Sequence, residues 1–121
     1  MVFDMKKTII IKEIVGSSDW IQVTDGLKVY ETIVPLLNNK EVEIINLSFK
    51  DRKFVITAFL NAAIGKLYNG QFNIETLKKL SFTDTDASDQ EKIDRVIKNA
   101  QRYYENNPEY RDNLFKKEAE E

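Results

Sequence analysis

The segment from Glu41 to Tyr68 constrains the fold of this chain more than any other. Val42, Ile44, Ile45 and Leu47 crowd into one short run, too dense for an amphipathic helix and too apolar for a strand with one wet face. They predict a central strand from Glu41 to Leu47, apolar on both faces and covered by helices. A polar loop follows. Phe59, Leu60, Ala63, Ile64 and Leu67 then recur at helical spacing, which predicts a helix from about Ile56 to Asn69, stopped by Asn69-Gly70. The small side chains of Ala58, Ala62 and Ala63 would let that helix approach a sheet closely. Strand, loop and helix in this order point to a layered α/β domain, and the loop end of such a unit is where these domains place contacts with ligands or partners.

The rest of the chain fits around that unit. Thr8 to Ile14, rich in β-branched residues and bounded by Lys6-Lys7 and Gly16, reads as a first strand. Ser17-Ser18-Asp19-Trp20 is turn-like. From Trp20 to Tyr30 two readings stand: a strand Ile21-Gln22-Val23 ending in an Asp25-Gly26 hairpin turn, or a helix capped by Thr24 or Asp25. The spacing of Leu27, Tyr30, Ile33, Val34 and Leu37 favours the helix, with Pro35 framing its last turn and Asn38-Asn39 ending it. Asn73 caps a short helix carrying Ile74, Leu77 and Leu80, and Ser81-Phe82-Thr83 reads as a short strand. Ser88 and Glu91 have the spacing of a capping box for a longer helix along Ile93, Val96, Ile97, Ala100, Tyr103 and Tyr104. Asn106-Asn107-Pro108 ends it. The expected organisation is one α/β domain over 1–107 and a C-terminal helical tail over 108–121, where Tyr110, Leu114 and Phe115 stand among charges.

Composition narrows the chemistry. At 121 residues, with 42% hydrophobic and 31% charged residues, the chain has the balance of one globular domain. A formal charge of −2 and a pI near 5.3 argue against nucleic acid as a partner. The absence of Cys and His removes disulfides, thiolate nucleophiles, imidazole bases and the usual zinc sites. No acid–base pair is recognisable, so neither an enzyme nor a cofactor is expected. Asp84, Asp86 and Asp89 read as helix caps and dipole partners rather than as metal ligands. No apolar run reaches membrane-spanning length, and Ile9-Ile10-Ile11 after Lys6-Lys7 is too short for a signal-peptide core. A cytoplasmic location without membrane contact is the expectation.

At Val42 to Ser48 and Thr57-Ala58-Phe59-Leu60-Asn61-Ala62-Ala63-Ile64-Gly65-Lys66-Leu67-Tyr68 the sequence resembles STAS domains, and more closely the STAS-like group of bacterial proteins. Gly16, Asp25-Gly26 and Tyr30 fit the same pattern more loosely. The resemblance implies a central mixed β-sheet packed against helices, and a non-enzymatic protein-interaction and regulatory role. In the anti-sigma-factor antagonists of that family, a serine at this strand–helix unit is phosphorylated by a histidine-kinase-like ATPase, and the modification switches partners. Those proteins carry Asp-Ser-Ser-Gly where this chain has Ile56-Thr57-Ala58-Phe59. Thr57 is the hydroxyl left in the motif: the resemblance implies a threonine phosphoacceptor if the modified position falls at Thr57, and loss of the switch if it falls at Ala58.

The expected partner-binding surface is therefore the loop Ser48 to Val55 with the first turn of the next helix. Its candidate contacts are Ser48, Lys50, Arg52, Lys53, Thr57, Phe59 and Asn61. Phe49, Phe54 and Phe59 bracket the loop, either as an exposed aromatic anchor or as plugs for the end of the sheet. The alternative is a small-ligand or nucleotide-binding regulatory domain, which needs a pocket near Asn46, Ser48 and Asn61.

Overall fold

The structure, a computed structural model, describes residues 5–106, so the tail expected over 108–121 lies outside the described residues. Strand β1 spans Met5–Ile10, and the chain then turns directly into a short helix, α1 (Ile11–Val15). A single strand was expected to run to Ile14. The run after Ile10 instead repeats at helical spacing, and Gly16, at φ 78°, takes the left-handed conformation that closes a helix C-terminus.

A two-residue strand, β2 (Asp19–Trp20), precedes helix α2 (Val23–Leu37). The helical reading of this region holds, but the helix starts earlier than Thr24 or Asp25. Gln22, in extended conformation, is its N-cap, and the buried stripe is Gly26, Val29, Ile33 and Leu37. Gly26 therefore lies inside the first turns and not in a hairpin. A methyl group there would stand 2.6 Å from the Phe59 carbonyl oxygen and 2.9 Å from the Ala62 Cβ. The missing side chain is what lets α2 press against helix α3 (Thr57–Ala63).

Strand β3 (Val42–Ser48) is central, flanked by β1 and by β5 (Leu80–Thr83) in a three-stranded sheet. A second, two-stranded sheet joins β2 to β4 (Phe54–Val55). The layered α/β domain is as expected; the described pairings are parallel throughout rather than mixed. Ile9, Ile45 and Leu47 occupy the covered face of the larger sheet, with Leu80 and Phe82 packed against the same core. The other face differs from expectation. Ile44 is 42% exposed, and its neighbours Thr8, Asn46, Ser48, Ser81 and Thr83 are polar. Those side chains satisfy one another laterally: Asn46 Nδ2 donates to Thr83 Oγ1 at 3.0 Å, and Ser81 Oγ donates to Asn46 Oδ1 at 3.2 Å.

The helix expected over Ile56 to Asn69 is broken. α3 stops at Ala63, Ile64 departs from helical geometry, and Gly65–Tyr68 continues as a 3-10 turn. A short helix, α4 (Ile74–Leu77), is capped as predicted: Asn73 accepts from the Thr76 amide at 2.8 Å. The long helix α5 (Ala87–Asn106) sets Ile93 and Val96 into the core against α3 and the 3-10 turn. Its cap is Asp86, not Ser88. Asp86 accepts from the Asp89 amide at 2.7 Å, and Asp89 accepts in return from the Asp86 amide at 3.1 Å. Asp in the position of Glu closes the same reciprocal box.

Candidate functional site

Trp20 carries β2 into the core. It is fully buried, lies 5.7 Å from Phe59 in a stacked arrangement, and meets Phe49 edge-on at 5.2 Å. Its indole N–H donates to the Ser17 carbonyl at 2.9 Å, so the ring is both packed and satisfied. These three rings form the floor under the β2–β4 ladder. The pairing is fixed by the Lys53 and Phe54 amides, which donate to the Ser18 carbonyl, and by the Ile56 amide, which donates to the Trp20 carbonyl at 3.1 Å.

Because side chains alternate along extended backbone, burying Trp20 and Val55 turns their neighbours Ile21, Phe54 and Ile56 outward, and Val23, the first residue of α2, is exposed as well. Phe54 is 66% exposed, Val23 49%, Ile21 48% and Ile56 41%. These residues come from two non-adjacent segments and gather at one place, where β2 leads into α2 and β4 leads into α3. Thr57 and Ala58 begin α3 beside them and are exposed. The N-cap of α3, Ile56, has no side-chain hydrogen bond to give, and the Thr57 hydroxyl makes none among the described residues.

The loop between β3 and β4 is held from below. Ser48 Oγ donates to Asp84 Oδ2 at 2.7 Å and accepts from the Lys50 amide at 3.2 Å. Arg52 reaches across to the start of α5, with Nε 2.9 Å from Asp89 Oδ1 and an Nη 2.9 Å from Asp86 Oδ2. Its other Nη donates to the Lys53 carbonyl at 3.1 Å. Asp89 is 1% exposed, so this pair ties the loop to the fold from within. The Asp89 amide, helped by the nearby Arg52 guanidinium, holds the Asp86 carboxyl below the usual carboxylate range. Lys92 Nζ donates to the Val55 carbonyl at 3.1 Å and closes the other side of β4.

The residues singled out from sequence separate into distinct environments. Lys50, Lys53 and Thr57 are exposed along the loop and the helix start, as a contact surface requires. Arg52 and Ser48 are engaged inside the fold, and Phe59 is buried under Trp20, so these three shape the surface from beneath. Asn61 sits farther along α3, in a groove with Lys66, Asn99 and Tyr103. Asn46 and Ser48 spend their polar atoms on β5 and Asp84, so the structure does not bring them together with Asn61 around one pocket. Of the three phenylalanines, Phe49 and Phe59 plug the core and Phe54 alone is turned outward.

Sequence reasoning raised Phe54 among the loop phenylalanines but missed the apolar group it shares with Ile21, Val23 and Ile56. The only trace in the sequence is two short apolar runs, Trp20-Ile21-Gln22-Val23 and Phe54-Val55-Ile56, each too short to stand as a strand alone. Among the described residues, no cluster of His, Cys, Asp or Glu could hold a metal ion, and no helix is long and apolar enough to cross a membrane.

A family model described as a STAS-like domain of unknown function (DUF4325) matches residues 25–90. That span takes in α2 from Asp25 onward, β3, β4, α3, β5 and the loop that Arg52 holds in place, and leaves β2 outside it. No curated protein and no solved structure matches the chain.

Proposed function

Since the chain belongs to the family of STAS-like domains of unknown function, we propose that it is a regulatory, non-catalytic module that docks on a protein partner through the outward face of β2 and β4 and the first turn of α3. The observation that carries this reading is the gathering of Ile21, Val23, Phe54 and Ile56 in the open on a backbone made rigid by the Trp20–Phe49–Phe59 floor. Fully burying one such side chain contributes about 1.5–3 kcal/mol, so a few of them can offset the cost of association. Lys50 and Lys53 border the patch and favour an acidic rim on the partner.

The partner class we favour is a histidine-kinase-like ATPase, as the resemblance to partner-switching modules implies. Thr57, exposed at the edge of the patch, is the hydroxyl that such a partner would modify. A phosphate there adds roughly two negative charges beside an apolar contact, which weakens docking unless the partner offers arginines.

Calorimetry with a purified histidine-kinase-like ATPase from the source organism tests the proposal. We expect binding by the unaltered chain, weakened about 10- to 100-fold by Phe54→Ser. Thr57→Glu should weaken it as well. Phe54 is mostly exposed, so Phe54→Ser should change stability by no more than about 0.5 kcal/mol, and lost binding then reports on the surface. Equal affinity of Phe54→Ser and the unaltered chain would overturn the surface assignment.

A further inference from the structure

Three half-buried aromatic side chains meet around one hollow, away from the sheets. Tyr68 ends the 3-10 turn, Phe72 precedes α4, and Tyr104 stands near the end of α5. With the buried Leu77, and with Gln101 and Glu105 of α5, they line a cavity of about 180 Å³. The local sequence shapes it. Gly70 takes φ 97°, the left-handed backbone that favours glycine, and a Cβ there would run into the Tyr104 ring. That ring therefore lies directly on bare backbone and forms a fixed wall. Gln101 stands three residues before Tyr104 and four before Glu105, so all three project from one side of α5. A concave apolar hollow with a few polar groups at its edge is the usual form of a small-ligand site.

Charge narrows the ligand. Among the described residues that line the cavity none is basic, and Glu105, which is exposed, is the one carboxylate. The nearby cations are placed elsewhere. Lys66 Nζ stands 4.6 Å from the centre of the Tyr30 ring, Lys78 pairs with Glu75 at 3.0 Å, and Arg102 is not among the cavity walls. The faces of aromatic rings are electron-rich and attract cations, most strongly cations that have shed their water. A primary ammonium holds its water tightly. A quaternary ammonium has no N–H to solvate, and it offers methyl groups to apolar walls.

We propose that this cavity binds a free quaternary ammonium cation of the choline class, its methylated head held among Tyr68, Phe72 and Tyr104 and its charge balanced by Glu105. Burial pushes the Tyr68 phenol up, so it stays protonated. Its hydroxyl makes no hydrogen bond among the described residues and is the donor for an oxygen on the ligand. Zwitterions and phosphate esters that carry the same head are disfavoured, because their anion comes close to the Glu105 carboxylate. None of these residues belongs to the docking surface on β2, β4 and the first turn of α3, so the site stands or falls apart from that reading.

Choline titrated into the full chain, followed by methyl-resolved NMR, tests the assignment. Shifts are expected at Leu77 and Ile74, which line the cavity, with Ile44 unmoved. The alcohol in which a carbon atom replaces the nitrogen has the same shape without the charge, and should bind about tenfold more weakly. Glu105→Gln, at an exposed position, should weaken choline about fivefold and leave the uncharged analogue as it was. Phe72→Leu keeps apolar bulk and removes a ring, so it should narrow the ratio between the two ligands. That ratio is unaffected by any loss of stability the variant brings. Betaine and phosphocholine should bind more weakly than choline. No shift at Leu77 and Ile74 with choline would overturn the proposal. Equal affinity for choline and its uncharged analogue would overturn it too, because the cavity would then be an apolar slot blind to charge.

Discussion

Removing the guanidinium of Arg52 would leave the carboxylate of Asp89, 1% exposed, without its counter-charge. Breaking a buried pair from one side costs about 3–5 kcal/mol, because the remaining charge stays desolvated. Arg52→Ala should therefore lower stability by about that much in a urea unfolding experiment, whereas Lys53→Ala, at an exposed neighbouring position, should change it by less than about 0.5 kcal/mol. Asp86 gives a pH signature at the same place. Its folded-state pKa lies below the ordinary value, so its contribution is present above the unfolded-state pKa and is lost as pH falls through the folded one. Asp86→Asn keeps a capping side chain and removes the charge. Thermal melts should then show a shallower acid limb for the variant than for the unaltered chain. The sequence offered Arg52 as a loop cation open to a partner. Only the fold, which brings the start of α5 beneath the β3–β4 loop, turns it inward.

Between elements, the closest approach is that of α2 and α3 at Gly26. On an isolated helix, replacing Gly by Ala gains up to about 1 kcal/mol. Here the new methyl meets the Phe59 carbonyl oxygen, which is backbone and cannot rotate away. Gly26→Ala should therefore destabilise by about 1–3 kcal/mol, and the sign of the change in melting temperature decides the matter. The same scale explains what was legible. The central strand, α2, the Asn73 cap and the long terminal helix each announce themselves by local period or local capping chemistry, and the structure holds all of them. β2 and β4 do not. Each is two residues long and exists because the other lies beside it, far away in sequence. Alternation over so short a run carries no local signal, and so the candidate site, which those strands build, was only half visible. The face of the larger sheet that carries Ile44 escaped for a related reason: Ile44 is apolar yet 42% exposed, while Asn46 and Ser48 on the same face are buried and bonded to Thr83 and Asp84, which only the fold brings beside them.

Across the whole molecule, the helices and the aromatic floor cover one side of a small parallel sheet and leave Ile21, Val23, Phe54 and Ile56 in the open, where we propose that a partner docks. Ile44 and Ile74 are also exposed, at 42% and 54%, and serve as built-in controls because they belong to other surfaces. The most direct test is methyl-resolved NMR of the full chain titrated with the purified histidine-kinase-like ATPase. Docking at this patch should give shift changes and broadening at the methyl groups of Ile21, Val23, Ile56 and Ala58, with Ile44 and Ile74 unmoved. Binding that shifts Ile44 or Ile74 and leaves Ile21, Val23 and Ile56 in place would contradict it.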